Sequence, residues 1–197
     1  MARTGIFGGT FNPIHNGHLH LLQEAEKSLG LDRILVIPAN IPPHKRAVDL
    51  APGADRLEMA RLAVMGMDRV FVSDIELKAK GKSYTVLTLK KLHALFPGDD
   101  FVLLIGADML FSFDQWYHWQ EILSLANLAA FARDFGEEAE LNRKAASFPG
   151  KTHVIRVKPL PLSSTEVRER LREGKDISDM VPEEVLKYIV RRGLYHR

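Results

Sequence analysis

Short apolar runs alternate along this chain with segments of helical period, and that alternation leaves few folds open. Gly5-Ile6-Phe7, Ile34 to Ile37, Val70 to Val72, Phe101 to Ile105, Leu128 to Ala132 and Val154 to Val157 read as strands. Gly17 to Leu29, Ala54 to Met65, Thr85 to Leu95 and Glu137 to Ala146 read as helices. Apolar runs separated by helices fit a parallel sheet covered on both faces. The expectation is an α/β fold with a doubly wound parallel sheet, one domain over residues 1–197 and a C-terminal helical segment. In that segment Ser163 with Glu166 has the spacing of a capping box, and Pro182 opens a further helix that Gly193 closes. The loops from Ala39 to Gly53 and from Ser73 to Lys82 are the longest candidates for functional segments.

Composition narrows the function classes. A net charge of +2 gives no ground for general nucleic-acid or membrane binding, while leaving room for a local phosphate site. The absence of cysteine excludes disulfides and thiolate-bound metal and fits a reducing, cytoplasmic setting. No apolar run approaches the roughly 20 residues of a bilayer span, and the N-terminus lacks the shape of a signal peptide.

The first strand runs into a glycine turn and then a helix, in the stretch GIFGGTFNPIHNGHL from Gly5 to Leu19. In an open α/β sheet this is where phosphate binds, because glycine admits the anion and the helix N-terminus supplies N–H groups. The dinucleotide fingerprint G-x-G-x-x-G is absent, and Gly81-Lys82-Ser83 is no P-loop because Glu76 stands where the first glycine belongs. His15 and His18 are three apart at a helix start and share a face. Three uses are open to them from spacing alone: capping or packing, metal ligation together with His20, or clamping a polyphosphate. The short motif holds no carboxylate and no H-E-x-x-H, which weighs against metal.

GGTFNPIHNGHL resembles the first signature of the H-x-G-H nucleotidyltransferase superfamily, and Ser164-Thr165-Glu166-Val167-Arg168 resembles its second, of the form S-T-x-x-R. Asn12 departs from the Asp that many members carry. Four further stretches, NIPPHK, KSYTVLTLKKL, LLIGADMLFSFDQWYHW and AAFAR, make the whole chain similar to the bacterial nicotinate-nucleotide adenylyltransferases. The resemblance implies a Rossmann-like fold and transfer of the adenylyl group of ATP to nicotinate mononucleotide, giving deamido-NAD and pyrophosphate. It implies Mg²⁺ held mainly by the ATP phosphates, with no protein metal site. The implied partners are these small molecules, with neither nucleic acid nor membrane; a homo-oligomer is compatible.

The resemblance also assigns roles. His15, His18, Lys45 and Arg168 would be the catalytic donors, acting on a phosphate nucleophile that is already anionic and needs no general base. Gly8, Gly9, Thr10 and Phe11 would line the ATP turn, with Ser164, Thr165 and Arg168 on the β- and γ-phosphates. Gly106 and Asp108 would meet the adenosine ribose, and Arg133 the adenine. Asn40, His44 and Lys45 would face the mononucleotide phosphate, and Thr85, Trp116 and Tyr117 the pyridine ring and its carboxylate. Each has a plainer alternative. Trp116 and Trp119 can be core, His44 and Lys45 solvated loop, Arg133 a surface charge, Asp108 a helix cap and Ser163 no more than a cap. Two rival functions remain at this stage: the same transfer to another phosphate acceptor, and a nucleotide-binding regulatory module without activity.

Overall fold

Six parallel strands form the sheet in the order β3-β2-β1-β4-β5-β6. The structure is a computed structural model, and it describes residues 1–40, 49–79 and 81–196. The strands are β1 (Arg3–Gly9), β2 (Arg33–Pro38), β3 (Val70–Val72), β4 (Asp100–Gly106), β5 (Asn127–Ala132) and β6 (Thr152–Arg156). The order reverses between β1 and β4, which pair from Arg3↔Asp100 to Ile6↔Leu103. Both strands end in glycine there, at Gly8-Gly9 and at Gly106, so the crevice beyond their C-terminal ends is open to a ligand.

Alternation along the strands sorts the core into two layers. Phe7, Val36, Leu104 and Phe131 point to one side, against α1 (Asn16–Leu29), α2 (Gly53–Ala63), α7 (Ser164–Arg172) and α8 (Glu183–Arg192). Ile6, Leu35, Leu103 and Ala130 point to the other, against α3 (Thr85–Leu95), α4 (Ala107–Phe111), α5 (Trp119–Leu125) and α6 (Phe135–Ala145). The C-terminal helices therefore share a layer with α1, the helix that follows the glycine turn.

All six expected strands and all four expected helices are present, with ends shifted by a residue or two; α2 stops at Ala63 and β6 at Arg156. α4 and α5, with a 3₁₀ turn at Phe113–Gln115 between them, are helices that the sequence pattern does not display. They are five and seven residues long, too short to display a helical period. The capping box at α7 forms by half. Ser163 Oγ accepts from the Glu166 N–H at 3.1 Å, but the Glu166 carboxylate turns outward to Arg170.

Candidate active site

A cleft of about 600 Å³ opens at the β1/β4 switch point, and His15, His18, Gly106, Asp108, Arg133 and Ser163 are among the residues lining it. Residues from both ends of the chain thus meet in one crevice.

His15 is the N-cap of α1 and is 5% exposed. Burial pushes its pKa down to about 4, so the ring is neutral near pH 7. Its Nδ1 is buried with no hydrogen-bond partner among the described residues. His18, one turn on, stacks on it with ring centroids 3.7 Å apart. His18 Nδ1 accepts the His15 backbone N–H at 3.2 Å. That bond places the proton of a neutral His18 ring on Nε2, where it is a donor. Phe11 meets the His18 ring edge-on at 5.2 Å and fixes its plane. The capping, packing and donor readings are thus compatible.

The turn before these histidines is held from several sides. A Cβ on Gly9 would strike the Phe11 ring at 2.7 Å, whereas one on Gly8 would meet nothing. Gly9 is required for packing, and Gly8 leaves the backbone open to approach. Phe11 has φ 47°, a left-handed conformation uncommon for a bulky residue, and its buried ring leaves its backbone as the part a ligand can use. Asn12 is locked: its Oδ1 accepts from Ala51 N–H at 3.0 Å and from the Tyr195 hydroxyl at 2.8 Å, while its amide donates to Asp49 O.

Arg168 reaches this turn from α7 and donates through Nη1 to Asn12 O at 2.8 Å. Its Nε is buried and has no hydrogen-bond partner among the described residues. Ser164 Oγ donates to Pro13 O at 2.8 Å, and Thr165 Oγ1 lies 3.4 Å from Arg168 Nη2. The second signature therefore stitches α7 to the first. Across the cleft Asp108 stands in the first turn of α4 with its side chain 87% exposed, and Gly106 takes the cap position that Asp108 was a candidate for. Arg133 is gripped by Glu137 through Nη2 and Nε, at 2.6 and 3.0 Å, with Asp108 4.0 Å away.

Of the residues expected around the acceptor, Asn40 and Thr85 lie beyond this cleft, at the C-terminal end of β2 and the start of α3, and Trp116 and Tyr117 lie just before α5. Asn40 N–H donates to Ser83 Oγ at 2.9 Å, and its side-chain amide to Ala79 O. Tyr84, next to Thr85, packs on Tyr117 with centroids 4.7 Å apart. Trp116 is half-buried on Phe113, and Trp119 packs on Phe113 and Phe148, so both serve the second core layer. His44 and Lys45 lie outside the described residues.

Sequence reasoning missed three contributors. Lys158 and the Leu160–Pro161–Leu162 stretch line the cleft through a segment without periodicity. Tyr195 is half-buried by tertiary contact alone, its hydroxyl pushed to higher pKa by desolvation. Arg56 sits within a helical period, where nothing in the residue pattern separates a buried arginine from a solvated one.

A profile of the cytidylyltransferase-like family matches residues 6–170. A Dehalococcoides mccartyi protein assigned as a nicotinate-nucleotide adenylyltransferase is 40% identical over 99% of this chain and 98% of its own. One from Clostridium tetani with the same assignment is 37% identical over 99% of this chain and 100% of its own. Among solved structures, Plasmodium falciparum nicotinic acid mononucleotide adenylyltransferase complexed with NaAD has a TM-score of 0.82 at 22% identity, covering 99% of this chain and 98% of that one. That last likeness is one of fold.

Proposed function

The chain belongs to the nicotinate-nucleotide adenylyltransferases of the cytidylyltransferase-like family, and from that premise we propose that it joins ATP to nicotinate mononucleotide, giving deamido-NAD and pyrophosphate. A phosphate oxygen of the mononucleotide attacks the ATP α-phosphorus. The new P–O bond forms as the bond from α-phosphorus to the α–β bridging oxygen breaks, and pyrophosphate leaves with that electron pair. No proton need move, so the protein's work is alignment and relief of anion repulsion.

The observation that carries this reading is the stacked His15–His18 pair at the start of α1, facing Gly106 and Asp108 across one crevice. In this reading His18 Nε2 donates to the phosphate charge that grows in the transition state, and His15 supports it as a neutral partner. Gly8, Gly9, Thr10 and Phe11 offer backbone to the triphosphate. Ser164, Thr165 and Arg168 take its far end, with the buried Arg168 Nε as an unspent donor. Asp108 accepts from ribose hydroxyls, and Arg133, held flat by Glu137, covers the adenine. Asn40, His44, Lys45, Thr85, Trp116 and Tyr117 hold the acceptor. Mg²⁺ enters as part of the ATP substrate: the cleft presents imidazole and guanidinium donors, chemistry suited to phosphate oxygens. Among the described residues no three metal-ligating side chains cluster.

Among the described residues no helix is long and apolar enough to cross a membrane. A cytoplasmic setting follows from the substrates, whose phosphates keep them from crossing membranes unaided. The test is pyrophosphate release from MgATP with nicotinate mononucleotide and with nicotinamide mononucleotide, side by side. Turnover with neither, or turnover only with an unrelated phosphate acceptor, overturns the reading.

A further inference from the structure

Arg56 is 1% exposed, the largest side chain in the core, and charged. It rises from α2 beneath the C-terminal ends of β1 and β2. Its guanidinium makes four hydrogen bonds: Nε to Ala51 O at 3.0 Å, Nη1 to Thr10 O at 2.8 Å and Ala39 O at 2.7 Å, and Nη2 to Asn40 O at 3.2 Å. All four acceptors are neutral carbonyls, and they belong to three separate stretches of chain. Thr10 is in the ATP turn. Asn40 is on the acceptor side, and from it the connection continues: Asn40 N–H to Ser83 Oγ, then the Ser83 and Thr88 hydroxyls to the half-buried Glu76 carboxylate. Thr88 lies on α3, one turn beyond Thr85.

Packing alone does not account for this choice of side chain. Burying a guanidinium is costly, and a neutral apolar residue of similar size would fill the space at less cost. The planar fork, however, fixes several carbonyls at defined angles, which a point charge on a flexible stem cannot do. The site also gathers two polyanionic substrates, and a fixed positive charge beneath both lowers their mutual repulsion without reorganising.

We propose that Arg56 is a positioning residue that couples the two substrate half-sites, setting the distance between the ATP turn at Thr10 and the acceptor segment at Asn40. Its effect falls on the chemical step, because in-line transfer needs both phosphates in register, and a small misplacement is costly even when each substrate still binds. This rests on the adenylyl-transfer reading above.

The test is Arg56→Lys, which keeps the charge and loses the fork. The expected result is a fall in kcat of about 10²-fold with both KM values within about threefold of wild type. Hydrogen exchange on the same protein should show faster exchange at residues 9–12 and at 39–40 together. A folded Arg56→Lys protein with kcat within threefold of wild type, or with loosening confined to α2, overturns the proposal. Ser83→Ala cuts the same connection at a half-exposed position and keeps the question open to measurement should Arg56→Lys fold poorly. It should lower kcat by several-fold, and in the double variant the two losses should be strongly non-additive. Independent, multiplying effects or an unchanged Ser83→Ala kcat contradict the coupling. If the wild type turns over a different mononucleotide, the acceptor assignment fails, while the exchange pattern and the kcat ratio with that acceptor still decide the role of Arg56.

Discussion

His15 carries two demands that oppose each other. Its ring is buried at a helix N-terminus, which disfavours imidazolium, yet the proposed function places it beside a triphosphate, which favours it. In the free protein burial wins and the pKa falls to about 4. An unfolded chain has this histidine near 6.5, so between those values the unfolded state binds more protons and acid selects it. Stability is intact above pH 6.5 and is lost as pH falls toward 4, with a ceiling of about 3 kcal/mol for this group. Urea melts at pH 7 and pH 4.5 should show wild type losing more than His15→Asn; equal losses would remove His15 as the cause. His18 differs because the proposed function gives its Nε2 a phosphate to meet. His18→Ala should leave the melting temperature near wild type and lower kcat by ~10²–10³-fold, the scale of one preorganised donor. Retention of most of kcat would take His18 out of the charge-stabilising role. Both histidines were legible in the sequence because a glycine turn, a helix start and a spacing of three put them in one place. Arg56 and Tyr195 were not, since their positions depend on which distant carbonyl or side chain they meet.

At the scale of elements, the helix starts around the site are capped differently. α7 has a side-chain cap in Ser163, which uses the Glu166 N–H. α3 begins after Tyr84, whose side chain makes no cap bond. The first N–H groups of α3, including that of Thr85, therefore lack an intrahelical partner and can meet a carboxylate at the positive end of the helix. Proline is well tolerated at the first helical position, and Tyr84, at φ −114° and ψ 126°, already has the conformation a following proline requires. Thr85→Pro should fold, keep its KM for ATP, and lose about 10–100-fold of its preference for nicotinate over nicotinamide mononucleotide, the worth of one charge-assisted bond. Thr85→Ser, which keeps the N–H, should be mild. A Thr85→Pro enzyme with wild-type selectivity would place the carboxylate elsewhere. The long elements were legible because strands apolar on both faces and helices with one apolar stripe leave strong patterns. α4 and α5 were not, because helices of five and seven residues complete too few turns to show one. The aromatic run through Trp116 and Trp119 consequently shows no helical pattern in the sequence, although both rings pack against the core.

Across the whole molecule, the C-terminal segment backs the glycine turn and the start of α1. Asn16 N–H and its side-chain amide donate to Met180 O and Asp179 O, Arg168 to Asn12 O, and Tyr195 to Asn12 Oδ1. Arg172 pairs with Asp49 at 2.6 Å. On the outer side α8 is fastened to α2 through buried Asp55, which accepts from the Tyr188 hydroxyl at 2.8 Å and from Arg192 Nε at 3.0 Å. The turn to which the proposed function gives ATP thus owes its shape to residues from the far end of the chain, and the two should loosen together. Asp55→Asn keeps the size and removes the charge beside Arg192. It should lower stability by about 1–3 kcal/mol, the range for a hydrogen bond to a charged group. Because Asp55 touches no part of the cleft, any effect on ATP must travel through α8. Hydrogen exchange in Asp55→Asn should therefore rise in α8 and in residues 10–16 in parallel, with KM for ATP raised and the preference between mononucleotides unchanged. Saturating MgATP, at about 100 times its dissociation constant, should add about 2.7 kcal/mol to wild-type stability and slow exchange in both regions at once. Protection confined to residues 10–16, with α8 exchanging as before, would show that the C-terminal helices cover the site without shaping it.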